Sequence, residues 1–207
     1  MENYRRLIHD EVFWLAVKNT IVYCLAAVTA NIVITLFLAE LISVLPSKWM
    51  KTMFRTILFI PCIAPMVGTS TVWKYGILGT DGGYNVVLFT AGLEGVPREF
   101  DEAAAIDGAG PVKRFLWIKL PLIGRTFAFV AIMTMANYFQ MFAQFRVFAA
   151  NGGRNNTAMV LTNYVFKMSF DSFDMGYASA VAAALFVLVF LVAMVQNKLM
   201  RSDWSYE

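Results

Sequence analysis

The residues of this chain that could do chemistry are few and scattered. The single histidine, His9, lies in a polar N-terminal stretch, and the two cysteines, Cys24 and Cys62, each sit inside an apolar run. No HExxH, no Cys/His cluster and no G-x-x-x-x-G-K-[ST] phosphate loop is present. Metal binding and nucleotide hydrolysis are therefore not expected of these residues, and none is assigned a catalytic role. Two polar groups remain. Residues 94–121 form a charged, alanine-rich island containing Glu94, Arg98, Glu99, Asp101, Glu102, Asp107, Lys113, Arg114 and Lys119. Asn137, Tyr138, Gln140 and Gln144 fall instead in an apolar stretch, 126–145, where polar groups are costly and turn toward a bundle interior or a water-filled path. Gln140 and Gln144 stand at i, i+4 spacing, which places them on one helical face, with Tyr138 and Phe139 supplying aromatic surface. Such a face suits hydrogen bonding to a polar solute, and equally suits hydrogen bonds between helices; Asn31 and Asn85 belong to the same class.

The elements that must position these groups follow from the distribution of charge. Of the 207 residues, 17 are basic and 14 acidic, against about 52 charged residues in an average soluble domain of this length, and 59% are hydrophobic. A mean hydropathy of +0.61 excludes intrinsic disorder and argues against a water-soluble enzyme. A net charge of +3 without a dense basic run argues against nucleic acid as a partner. Charge-free windows at 19–39, 56–73, 126–145 and 175–197 are long enough, or nearly so, for helices crossing about 30 Å of hydrocarbon. Alternating strand patterns are absent, so the expected class is all-α, a polytopic helical bundle in which membrane lipid is the main solvent. The N-terminus shows no basic-apolar-small pattern, and no cleavable signal peptide is expected.

Lysine and arginine near the span ends set the orientation. Lys48, Lys51 and Arg55 mark 46–55 as cytoplasmic, and Arg98, Lys113, Arg114, Lys119 and Arg125 do the same for 94–125. The tail with Lys198 and Arg201 falls on the same side, and the Gly/Asn/Thr-rich stretch 146–174 faces outward. Two cytoplasmic segments require an even number of crossings between them. Only one full-length window lies there, and the return would have to fit into the 12 residues between Asp81 and Glu94. Either residues 56–92 form a short hairpin bent at Pro61 and Pro65, or a piece of the parent sequence is missing near Gly79–Gly83; the second is the expectation.

Within the island, Pro97 can open a short helix over 97–107, with Glu99, Asp101 and Glu102 near its positive end. Ala103, Ala104 and Ala105 give a low-relief surface, Gly108 a turn that other residues resist, and Pro111 the start of a second short helix. Lys113, Arg114 and Lys119 are expected at headgroup level. Glu102, Ala103 and Ala104, then Gly108, Ile118, Leu120 and Pro121 stand at the spacing EAA-x3-G-x9-I-x-LP. A chance match at all seven positions is on the order of one in a million chains. The segment resembles the signature of permease subunits of ABC importers.

That resemblance implies a coupling loop, 94–121, docking in a groove of a separate ATP-binding subunit through Glu102, Ala103, Ala104, Asp107, Gly108, Ile118, Leu120 and Pro121. It also implies a dimer of such subunits holding ATP and Mg, with no cofactor on this chain. A second permease subunit, an extracytoplasmic solute-binding protein and a multi-pass location in a bacterial or archaeal cell membrane complete the picture. Further stretches resemble the carbohydrate branch, which serves maltose, other oligosaccharides and glycerol-3-phosphate. These include Asn19 and Thr20; Phe59, Pro61, Pro65, Trp73 and Lys74; AGLEGVPREFDEAAAIDGA; Phe142, Ala143 and Gln144; and Met175 to Ser179. In that setting Asn137, Tyr138, Gln140 and Gln144 become candidates for a sugar path. The chain departs from the family's roughly six spans in lacking the first and most of the fourth, and a family Gly-Gly-Pro reads Gly152-Gly153-Arg154. One permease domain, 1–207, is expected. An ion-coupled secondary transporter or channel subunit is the alternative, but the four windows hold no carboxylate.

Overall fold

The computed structural model describes residues 2–63, 80–149 and 151–199, apart from the side chains of 61–63 and 80–84. Pro65, Trp73, Lys74 and Gly79, and the side chain of Cys62, lie outside the described residues. Among the described residues every regular element is helical, as apolar runs without period-two alternation require.

A short helix α1 (Glu2–His9) precedes α2 (Glu11–Ser43). Asp10 starts α2, its Oδ1 accepting the backbone N–H groups of Val12 at 2.9 Å and Phe13 at 3.2 Å, an N-cap that satisfies two otherwise orphan donors. With 33 residues α2 extends well beyond its charge-free window, to about 50 Å, so its ends project past the hydrocarbon. Next come α3 (Lys48–Ile63) and α4 (Thr80–Glu94), of 16 and 15 residues, or about 24 and 22 Å. Both are shorter than a bilayer core. They pack against each other, the start of α3 beside the end of α4.

Two short helices, α5 (Arg98–Ile106) and α6 (Pro111–Arg114), follow, then a π-helical turn (Phe115–Lys119) and α7 (Leu120–Leu122). The expected span over 126–145 is not one helix. α8 (Gly124–Phe139) stops, and α9 (Ala143–Phe148) begins after a break in which Phe142 takes φ −121° and ψ −53°. Thr162 Oγ1 donates to the Met141 carbonyl at 2.7 Å and Tyr23 Oη to Met141 Sδ at 3.0 Å, so the freed backbone is answered from elsewhere in the fold. α10 (Leu161–Phe166), a second π-helical turn (Lys167–Asp171) and α11 (Met175–Leu199) complete the chain. Among the described residues, three helical stretches are long and apolar enough to cross a membrane: Glu11–Ser43, Gly124–Phe148 and Met175–Leu199.

Two compact units share these helices. Of the described residues, the first comprises 2–29, 134–149 and 151–195. Leu7, Phe13, Ala16, Met159, Leu161, Tyr164, Tyr177, Ala180 and Val181 form its core. There Asp10 Oδ2 accepts the hydroxyls of both Tyr164 and Tyr177, and Arg6 reaches Asp174 at 2.6 Å. Asn19 Nδ2 donates to the carbonyls of Asn156 and Met159, and Thr20 Oγ1 accepts the N–H of Leu161 at 2.9 Å. Of the described residues, the second unit comprises 30–63, 80–133 and 196–199. Leu36 and Ala39 of α2, Phe89 and Leu93 of α4, and Ile123 and Val130 form its core. Close approach of α4 to α8 depends on Gly92, whose missing Cβ would stand 3.1 Å from Thr126 Cγ2. Asn85 Nδ2 donates to Asn31 Oδ1 at 2.8 Å with both residues buried, the interhelical use of these amides. Cys24 is fully buried, a packing residue as expected.

Candidate functional site

The island at 94–121 folds as a helix, a turn and a second, broken helix. Pro97 fixes the backbone before α5, which has no side-chain cap; Glu99 and Asp101 occupy its first turn and complement the macrodipole. The helix ends in a Schellman closure, in which Gly108 N–H donates to the Ala105 carbonyl at 3.1 Å and Ala109 N–H to that of Ala104 at 2.9 Å. That closure needs a left-handed residue, and Gly108 supplies it with φ +75°. A Cβ there would meet nothing within 4 Å, so within this chain the requirement for glycine is set by backbone conformation rather than space.

Pro111 opens α6 at its first turn. The second proline, Pro121, has no N–H for the Trp117 carbonyl and its ring crowds that group. The backbone answers by widening: Leu120 N–H bonds Phe115 O, five residues back, and Phe115–Lys119 becomes a π-helical turn. The I-x-LP end of the signature thus reads as a built-in irregularity.

Glu102, Ala103, Ala105, Asp107 and Gly108 are exposed, whereas Ala104 is buried and anchors α5. Ile118 and Leu120 are half-buried, Leu120 against the second unit's core, and Pro121 is exposed. Sequence reasoning missed the apolar residues left in the open beside them, among them Ile106 at 86% exposure and Trp117 at 79%. Apolar side chains of that size standing in the open signify a partner or lipid.

Lys119 is drawn into an ion pair. Its ammonium lies 2.7 Å from Glu40 Oε1 near the end of α2 and 3.9 Å from Asp101 of α5, with only 14% of the side chain exposed. Arg114 approaches Asp101 at 3.6 Å. A second group joins Glu94 to Arg55 at 2.6 Å and to Lys51 at 3.5 Å. The Arg55 guanidinium holds the Glu94 carboxyl below its ordinary range, with Lys51 adding to the effect. Partners on other elements draw these cations inward, which a helix-by-helix reading of charge does not reveal.

The candidate path residues are not assembled as expected. The break at Met141 and Phe142 separates Gln140, just past the end of α8, from Gln144 in α9, so their i, i+4 spacing no longer defines one face. Asn137 and Gln140 are exposed and Gln144 half-buried. Tyr138 and Phe139 are buried at 7% and 3% exposure, turned into the packing rather than offered to a solute. Tyr23 closes over this region, its ring edge-on to Phe145 at 4.7 Å.

Among the described residues no group of three or more His, Cys, Asp or Glu is placed to hold a metal ion. A family model described as the binding-protein-dependent transport system inner membrane component matches residues 31–202. The multiple sugar-binding transport system permease protein of Streptococcus mutans is 30% identical over 97% of this chain and 80% of its own length. The sn-glycerol-3-phosphate transport system permease protein of Salmonella typhimurium is 26% identical over 100% of this chain and 81% of its own. That alignment runs over 245 positions, 38 more than the 207 residues of this chain. Among solved structures, a bacterial ABC transporter involved in the import of the acidic polysaccharide alginate superimposes with a TM-score of 0.82. It shares 16% identity over 99% of this chain and 84% of that one. By these matches the chain belongs to the inner-membrane components of binding-protein-dependent transport systems, the multi-pass, non-enzymatic permease subunits of ABC importers, in which a partner subunit hydrolyses ATP.

Proposed function

We propose that this permease forms part of the translocation path for an oligosaccharide or related sugar-like solute and is driven through the island at 94–121. The observation that carries the reading is the seven-position signature standing on an exposed helix–turn–helix: Glu102, Ala103 and Gly108 face outward, and Ala104 is buried. Glu102 meets the ATP-binding subunit, Asp107 and Gly108 shape the turn, and Ile118, Leu120 and Pro121 seat the second helix. ATP and Mg stay on a dimer of that partner, and this chain binds no cofactor. A second permease chain, different from this one, and an extracytoplasmic solute-binding protein complete the assembly. The sugar class is supported by the relatives, whose names specify multiple sugars, arabinooligosaccharides and lactose. The 38 alignment positions without a counterpart here support the reading that a piece of the parent sequence is missing within the chain.

Gln144, with Asn137 and Gln140, belongs to the sugar path. A thermal-shift screen of the binding protein against sugars identifies the solute. ATP hydrolysis by the reconstituted complex is then measured with the loaded binding protein. Sugar-loaded protein is expected to stimulate hydrolysis several-fold, and Gln144→Ala to weaken stimulation without loss of assembly. A binding protein that answers only to amino acids or inorganic ions would overturn the sugar assignment.

A further inference from the structure

In the second unit a cleft of about 760 Å³ opens among the ends of α2 and α4 and the starts of α3 and α5. Lys48, Lys51, Arg55, Arg98 and Lys119 line it against two carboxylates, Glu94 and Asp101, so positive charge prevails. Part of that charge is already committed. Arg55 and Lys51 lie on Glu94, Lys51 Nζ also donates to the Ser43 carbonyl at 2.6 Å, and Lys119 lies on Glu40. These contacts answer the negative ends of α2 and α4.

Lys48 and Arg98 are left over: among the described residues neither has an ion pair. They are the first residues of α3 and α5, whose N-terminal backbone N–H groups stand at the same cleft, and α5 has no side-chain cap. Arg55, already paired with Glu94 at 2.6 Å, also lines the cleft and adds its charge. Two helix starts and two uncommitted cations, with Arg55 beside them, suit a compact anion with several oxygens, which spreads its charge over more donors than a carboxylate can.

We propose that this cleft binds a phosphate mono- or diester, held by Lys48, Arg98 and the starts of α3 and α5, with Arg55 behind. Its place beside the end of α2, on the side that the basic loops mark as cytoplasmic, allows two sources: an anionic phospholipid headgroup or a soluble phosphate ester. The assignment is independent of which solute is transported.

The test is amine-acylation footprinting of the assembled importer in nanodiscs, with Lys48 read by peptide mass spectrometry against exposed Lys113 as internal reference. Three preparations are compared at equal ionic strength: phosphatidylcholine alone, phosphatidylcholine with phosphatidylglycerol, and phosphatidylcholine with inorganic phosphate. Acylation of Lys48 relative to Lys113 is expected to fall at least three-fold with phosphatidylglycerol if the source is lipid. It falls with inorganic phosphate if the source is soluble. In complexes that retain the ATP-binding subunit, Arg98→Gln should abolish the protection. An unchanged Lys48 ratio in all three preparations, or protection that survives Arg98→Gln, overturns the proposal. Neither readout depends on transport, so failure here and failure of the sugar reading are distinguishable.

Discussion

Gly108 shows how a single position links the signature to its physics. Its φ of +75° closes α5, and a Cβ there meets open space. Alanine should therefore cost about 1 kcal/mol through backbone strain, and asparagine, which tolerates the left-handed region, less. Thermal unfolding of the purified complex should rank Gly108 above Asn above Ala. A bulky residue such as Trp should leave stability near that of Ala yet abolish ATP-driven uptake, because the obstruction then lies with the partner. Asp10 makes a different prediction. Burial pushes its carboxyl up, but the Tyr164 and Tyr177 hydroxyls and the Phe13 and Val12 N–H groups together hold it below its ordinary value. A depressed carboxylate contributes stability that is fully present above its unfolded pKa of about 3.9 and is lost as pH falls through the folded value. Melting temperature in detergent should hold from pH 7 to about 5 and drop below about 4, and Asp10→Asn should remove most of that acid-side loss. The signature residues were legible because their spacing is local. The Asp10 cluster was not, since its tyrosines lie 154 and 167 residues away.

At the scale of elements, the expected helices at 97–107 and from Pro111 are present, placed by local chemistry: prolines at the starts and a glycine at the turn. The span at 126–145 differs because apolarity reports burial in lipid or protein and not helical continuity. What breaks it is a set of tertiary contacts at Met141. The ion network is the mechanical consequence of the fold: Lys119 joins the π-helical turn after α6 to Glu40 near the end of α2, with Asp101 of α5 close by. Lys119→Met should cost about 1–3 kcal/mol by leaving Glu40 half-buried and unpaired, and adding Glu40→Gln should recover part of the loss. A double-mutant cycle on melting temperature gives the coupling; simple additivity of the two changes would show that the pair carries no shared load. The same single variant should lower uptake more than ATP hydrolysis if the pair transmits motion from the island to α2.

For the molecule as a whole, the deficit of charge located the spans, and the basic loops gave them a direction. Helices Glu11–Ser43, Gly124–Phe148 and Met175–Leu199 agree with that map, while α3 and α4 fall short of a bilayer's thickness. The parity argument that flagged the 56–92 region came from counting crossings, which needs no contact information. The pairing of α3 with α4 through Lys51, Arg55 and Glu94 needed the fold. The central claim is that the island at 94–121 is where this permease receives the work of ATP hydrolysis. A photoreactive amino acid placed at Ala103, in the complex assembled from the co-expressed subunits, tests it most directly. The account predicts a covalent adduct between this chain and the ATP-binding subunit, absent when the same label replaces Phe37 on the exposed face of α2. Labelling of lipid alone from Ala103, in a complex that retains its ATP-binding subunit, would contradict it.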